Sequence, residues 1–191
     1  MNMKRFAAVL LAQMTLGSLL AAAAFAQMPL LAPKAPEIDQ NVTAALRDLY
    51  SHNKAAKALG AKAKAVLVFP DIKKGAFIVG AQYGFGALRR GDTTAGYYRT
   101  AAASYGFQAG VKKFGYALFF MTDAALAYLH KSGGWAIGTG PSIVVVDQGV
   151  ARSLTTTNLR SDVYAFVFDQ KGLMAGIGIE GSKITKITPG D

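Results

Sequence analysis

KAVLVFPDIKKGAFIVGAQYGFG, the run from Lys64 to Gly86, is where the chain changes from helical to β periodicity. Ala65-Val66-Leu67-Val68-Phe69 is a compact apolar stretch closed by Pro70 and Asp71, the pattern of a buried strand entering a turn. GAFIVGAQY, residues 75 to 83, resumes as a second strand. Upstream, Val42, Leu46, Leu49 and Tyr50 recur at helical spacing with Arg47 and Asp48 opposite. This predicts an amphipathic helix from Asn41 that continues through Ala55, Ala56 and Leu59 to Gly60. Downstream, strands are expected at 97–108, 114–121, 135–137, 142–146, 151–156, 162–169 and 173–179. A short helix, Ala124 to His130, interrupts them, capped by Thr122 or Asp123 and stopped by Gly133 and Gly134. The ten residues SKITKITPGD after Gly181 are assigned no element.

Glycine falls inside the strand patterns at positions 80, 84, 86, 106, 110, 115, 176 and 178. In a strand interior it weakens pairing unless the backbone bends or another surface comes close. The glycines therefore imply either a strongly curved sheet or the close approach of a ligand. The fold class expected is α+β: an N-terminal helical segment, then a curved, mainly antiparallel β-sheet or barrel with a short inserted helix.

The first 26 residues combine a basic start at Lys4 and Arg5, an apolar stretch from Phe6 to Phe25 and the small-residue triplet Ala24-Phe25-Ala26. They read as a secretory signal cleaved before Gln27. Residues 27–40 contain three prolines between Met28 and Glu37 and read as an extended linker, leaving 41–191 as a single domain. With no cysteine in the chain, disulfides, thiolate metal sites and a lipid-modified N-terminus are excluded. The expected location is the periplasm or the secreted fraction, with peripheral attachment to membranes.

Removing Lys4 and Arg5 from the 21 basic residues leaves 19 against 11 acidic ones, a net charge of +8. Such a balance favours an anionic partner. For an exported protein that partner is anionic lipid rather than nucleic acid. The basic residues arrive largely as doublets at predicted connections: Lys73-Lys74, Arg89-Arg90 and Lys112-Lys113, with Lys62 and Lys64 just after the helix. If they converge, each contributes about 1 kcal/mol at an anionic surface. These eight residues are the expected lipid-binding site; the alternative reading makes them solvated turn residues.

Catalysis finds no support in the motifs. Gly176-Ile177-Gly178-Ile179-Glu180-Gly181 spells GxGxxG, but that fingerprint needs a following helix to meet a pyrophosphate, and SKITKITPGD does not read as one. There is no GxSxG elbow. The two histidines suit a solvent-facing helix position, His52, and a helix C-terminus, His130. The acidic residues Asp71, Asp92, Asp123, Asp147 and Asp169 each sit at an element boundary, as turn formers do. No enzyme activity, cofactor or metal is expected.

Several segments together carry a family resemblance: KAVLVFPDIKKGAFIVGAQYGFG from Lys64, SYGFQAG from Ser104, FFMTDAALAYL from Phe119, and SDVYAFVFDQKGLMAGIGIEGSKI from Ser161. The chain resembles the SYLF domain family, in its signal-bearing bacterial branch, over roughly Ala44 to Ile187. KGLMAGIGIEG, from Lys171, is its most specific part. The resemblance implies a lipid-binding module without a reaction or cofactor. Eukaryotic relatives bind phosphoinositides and some yeast members bind actin, so a protein partner in an envelope structural or interaction role is the alternative. By resemblance, lipid contacts fall near the N-terminal helix, where Arg47, Lys54, Lys57, Lys62 and Lys64 stand. Gly96-Tyr97-Tyr98-Arg99-Thr100 departs from the Trp-Ser-x-Pro element of many relatives.

Overall fold

The computed structural model describes residues 32–75, 79–105, 114–131, 133–146, 159–169, 179 and 181–190. Among the described residues two helices come first: α1, Ala35–His52, and α2, Lys54–Gly60. Helix α1 starts six residues before Asn41, inside the stretch expected to be an extended linker. Pro36 sits in its first turn, where a missing N–H costs no hydrogen bond. The single helix expected through to Gly60 is broken at Asn53. That residue is extended, with φ −131° and ψ 100°, and its side chain accepts a hydrogen bond from the Ala56 N–H at 3.0 Å to cap α2.

Among the described residues eight strands follow: β1 (Ala65–Gly75), β2 (Val79–Arg90), β3 (Thr93–Tyr105), β4 (Phe114–Phe120), β5 (Trp135–Ala136), β6 (Ile143–Val145), β7 (Val163–Asp169) and β8 (Lys183–Ile187). They form one curled half-barrel sheet in the order β5-β8-β3-β2-β1-β4-β7-β6. Only β6 against β7 is parallel among the named pairs; the others are antiparallel. Helix α3 (Asp123–Ala127) and a 3-10 turn (Tyr128–His130) are inserted after β4. Thr122 is the cap, accepting from Ala125 N–H at 3.2 Å. The architecture is the expected α+β class. The strands expected at 151–156 and 173–179, and the glycines at 106, 110, 176 and 178, lie outside the described residues, Ile179 apart.

Both faces of the sheet are covered, so its central strands are apolar without interruption. Ala65, Leu67 and Phe69 of β1, Tyr116, Leu118 and Phe120 of β4, and Val163, Ala165 and Val167 of β7 point to one face, with Leu126, Leu129, Trp135 and Ile184. Val66 and Val68, Ala117 and Phe119, and Tyr164 and Phe166 point to the other, under Ile38, Val42 and Leu49 of α1 and Leu59 of α2.

Pro70 lies within β1 rather than at its end. It avoids the ladder because the register slips between Val68 and Ile72 against β2 and between Phe69 and Ile72 against β4. The slip is a bulge, where a residue without an N–H is tolerated. Phe69 and Ile72, three apart, consequently face the same core. Three glycines on the flanking strands wrap this bulge. A Cβ on Gly84 would stand 2.7 Å from the Asp71 carbonyl oxygen, and one on Gly115 would stand 2.7 Å from that of Pro70. One on Gly86 would overlap the Val68 carbonyl. The curvature reading of these glycines is the one the structure supports.

The C-terminal residues expected to have no element form β8, which pairs with β3 from Tyr97–Ile187 to Ala101–Lys183. A turn with Gly181 at φ +74° leads into a strand, not a helix, where the GxGxxG pattern would need one. Beyond β8, Gly190 N–H donates to the Pro33 carbonyl at 3.1 Å, joining the two ends of the folded body.

Asp162 ties the start of β7 to β6 and α3. Its Oδ2 accepts from the Ser142 N–H at 3.0 Å and hydroxyl at 2.9 Å, and Oδ1 accepts from the Thr122 hydroxyl at 3.3 Å. The Ser142 backbone and side-chain bonds, then that of Thr122, hold this carboxyl below the usual aspartate range.

Two outcomes are expected. Gly86→Ala forces the bulge to shift and lowers stability by roughly 1 to 3 kcal/mol in urea denaturation. For Asp162 the folded pKa lies below the unfolded value of about 3.9. Its stabilisation is therefore complete above that value and is lost as pH falls through the folded one. Between about pH 5 and about pH 2, the melting temperature of the wild type should fall more than that of Asp162→Asn.

Candidate functional site

The β2–β3 hairpin closes on Gly91 and Asp92, with Arg90 paired to Thr93. Gly91 has φ +56°, the positive value that the first position of a type II′ turn requires. Pairing of Val66 with Arg89 puts the end of β2 beside the start of β1. Lys62, Lys64, Arg89 and Arg90 thus share one end of the sheet. Lys73 and Lys74 pair with Tyr83 and Gln82, at the other end of the β1–β2 ladder. Lys112 and Lys113 lie outside the described residues.

The Arg89-Arg90 doublet is split by strand alternation. Arg89 points to the helix face and is largely buried, with 12% of its side chain exposed. Its Nη2 donates to the Asp39 carbonyl at 3.0 Å and the Thr43 hydroxyl at 2.9 Å, and its Nη1 donates to the Asp92 carbonyl at 3.1 Å. The Asp39 carboxylate completes the group, 3.4 Å from Nη2 and accepting from Thr94 Oγ1 at 2.7 Å and Tyr97 OH at 2.9 Å. Burial, followed by the hydrogen bond and negative charge of Asp39, raises the Tyr97 phenol above its ordinary range, which keeps it a donor. Arg89 is therefore the residue that docks α1 on the hairpin, not an open surface cation. Arg90, one residue on, is exposed.

The remaining cations at this end are on the surface. Lys62 follows α2 and is exposed, and Lys64 is exposed with a loose ion pair to Asp123 at 3.6 Å. Arg47, Lys54 and Lys57, on the two helices leading to them, are exposed as well. Residues 47–64 therefore present five basic side chains against one acidic residue, Asp48, which contacts His52 at 3.3 Å. Lys73 is exposed at the far end. Among the described residues, no group of three or more His, Asp or Glu side chains is placed to hold a metal ion, and no helix is long and apolar enough to cross a membrane.

The segment from the second half of β3 through β8 decides the affiliation: residues 101–188 match the family described as "Ysc84: Las17-binding protein actin regulator". Over these residues the chain is similar to the Ysc84, or SYLF, domain. Comparison with curated proteins gives no match. The Ysc84 match begins after β1, β2 and both N-terminal helices, so the Arg89 network and the basic helical segment stand outside it. Within it fall Lys112, Lys113, Lys131, Lys171, Lys183 and Lys186.

Strand alternation is the signal that separates the doublet, once β2 is known to run through Arg90. Arg89→Gln should lower stability by roughly 1.5 to 3 kcal/mol, because bonds to a charged group are lost in a covered site. Arg90→Gln should stay within about 0.5 kcal/mol. Urea denaturation of the two single variants, side by side, reads the difference.

Proposed function

We propose that this domain is a non-catalytic module that attaches peripherally to anionic lipid surfaces, in an exported protein of the periplasm or the secreted fraction. The observation that carries the reading is the run of exposed cations Arg47, Lys54, Lys57, Lys62 and Lys64 along one continuous segment with a single acidic residue. At about 1 kcal/mol for each cation near an anionic surface, five are sufficient for binding that ordinary salt weakens. Arg90 is exposed at the same sheet end as Lys64 but leaves β2 on the opposite face from the helices, and Lys73 and Lys74 pair at the other end of the β1–β2 ladder. Lys112 and Lys113 remain candidates by sequence alone.

A second reading, an interaction protein with a protein partner, is favoured by the family's description, which names binding to another protein and regulation of actin. Salt separates the two, since an apolar protein interface responds weakly to ionic strength.

Sedimentation with vesicles of phosphatidylglycerol and of phosphatidylcholine tests the lipid reading. Wild type should pellet with the first and not the second, less at high salt. Replacing the five cations by glutamine should weaken binding by at least about a hundredfold. Circular dichroism should show the fold retained, since exposed charges contribute little to stability. Equal pelleting of both proteins, or none by the wild type, would sink the lipid reading and leave the protein partner.

A further inference from the structure

On the face of the sheet away from α1, at the hairpin end, Tyr98 and Lys186 pack over Gly96. Tyr98 is fully buried, and its hydroxyl has no hydrogen-bond partner. Buried hydroxyls are normally paired, so an orphan of this kind asks for an explanation. Lys186 is Tyr98's partner across the β3–β8 ladder, and both reach toward Gly96. A Cβ built on Gly96 would stand 3.6 Å from Lys186 Cε and 3.7 Å from the Tyr98 oxygen. The Tyr98 ring and the lysine stem pack over the glycine, with the ring Cε2 3.3 Å from where that Cβ would stand. Arg90 leaves β2 on this same face, two residues after Leu88, which packs in the core beside Tyr98 and pairs with Gly96. Burial raises the Tyr98 phenol above its ordinary range while the Arg90 charge pulls it down, so the hydroxyl keeps its proton and lies within the arginine's field.

We propose that Tyr98, Arg90 and Lys186 form a binding site for one phosphoryl group. The orphan hydroxyl donates to a phosphate oxygen, the Arg90 guanidinium donates to one or two others, and the Lys186 ammonium neutralises the second charge. The hydroxyl is out of contact with solvent, so the group enters by displacing the lysine stem beside it. Two exposed cations flanking a buried neutral donor match a tetrahedral dianion better than a carboxylate, which has one charge and two oxygens. The site is separate from residues 47–64 and does not depend on attachment through them.

The phosphoryl group belongs either to free phosphate or to a monoester head group, and two probes separate these sources. One is calorimetric titration with inorganic phosphate; the other is sedimentation with phosphatidylcholine vesicles with and without phosphatidic acid. Tyr98→Phe keeps the ring and removes only the unpaired hydroxyl, so its melting temperature should equal or exceed that of the wild type. Its affinity should fall about tenfold, as should those of Arg90→Gln and Lys186→Gln. A loss seen with inorganic phosphate assigns the site to free phosphate, and a loss seen only with phosphatidic acid assigns it to the head group; either supports the site. Unchanged affinity in Tyr98→Phe, no binding of either probe to the wild type, or a lower melting temperature for Tyr98→Phe would overturn it. The five-fold glutamine variant of residues 47–64 should retain phosphate binding, so the two proposals fail independently.

Discussion

The bulge at Pro70 is the constraint from which the rest of the sheet follows. A proline in a central strand has no N–H for the ladder, and both neighbours of β1 must give way around it. They do so through Gly84 and Gly86 on one side and Gly115 on the other, where carbonyls of β1 occupy the space a side chain would take. The strand bends there and carries its neighbours with it, since paired strands share curvature. The curled sheet has two faces to cover: Trp135, Leu126 and Leu129 pack on one, and α1 and α2 on the other.

The second covering is what places charge. Helix α1 is fixed by apolar contacts through Ile38, Val42 and Leu49 and by the Asp39 group, in which Arg89, Thr94 and Tyr97 converge on one residue. Charged partners in a covered location are costly unless each is satisfied. Here the carboxylate accepts from both hydroxyls and faces the guanidinium. With the helix so held, its polar side and the cations of α2 are turned to solvent. The segment Gly96 to Thr100 supplies Tyr97 to the helix face and Tyr98 to the opposite face.

Strands β1, β4 and β7 were legible as continuous apolar runs because both sides are covered. Helix α1 was legible through its single apolar stripe. Pro70 was read as the end of a strand, since only the pairing of two neighbours reveals a bulge. Asn53 interrupts a helical pattern whose apolar spacing runs on regardless, so the break is invisible without the cap. Strand β8 was missed for a different reason: Ile184 and Ile187 are three apart, and alternation puts Lys186 on the apolar side of Ile184. The basic residues were legible as charge but not as position. Adjacent residues in a strand part company, so Arg89 and Arg90 have different tasks that a doublet in the sequence conceals.

Strand β8 also has a temporal meaning. The hairpins that join β1, β2 and β3 close over short separations, whereas β8 must find β3 across more than eighty residues of intervening chain, from Ala101 to Lys183. Contacts of such separation form late, because the entropy of closing the loop is lost before the contact repays it. Until residues 183–187 have emerged and paired, the outer edge of β3 is an open ladder of donors and acceptors, receptive to any extended segment nearby. The sheet thus stays open along β3 until residues 183–187 pair with it.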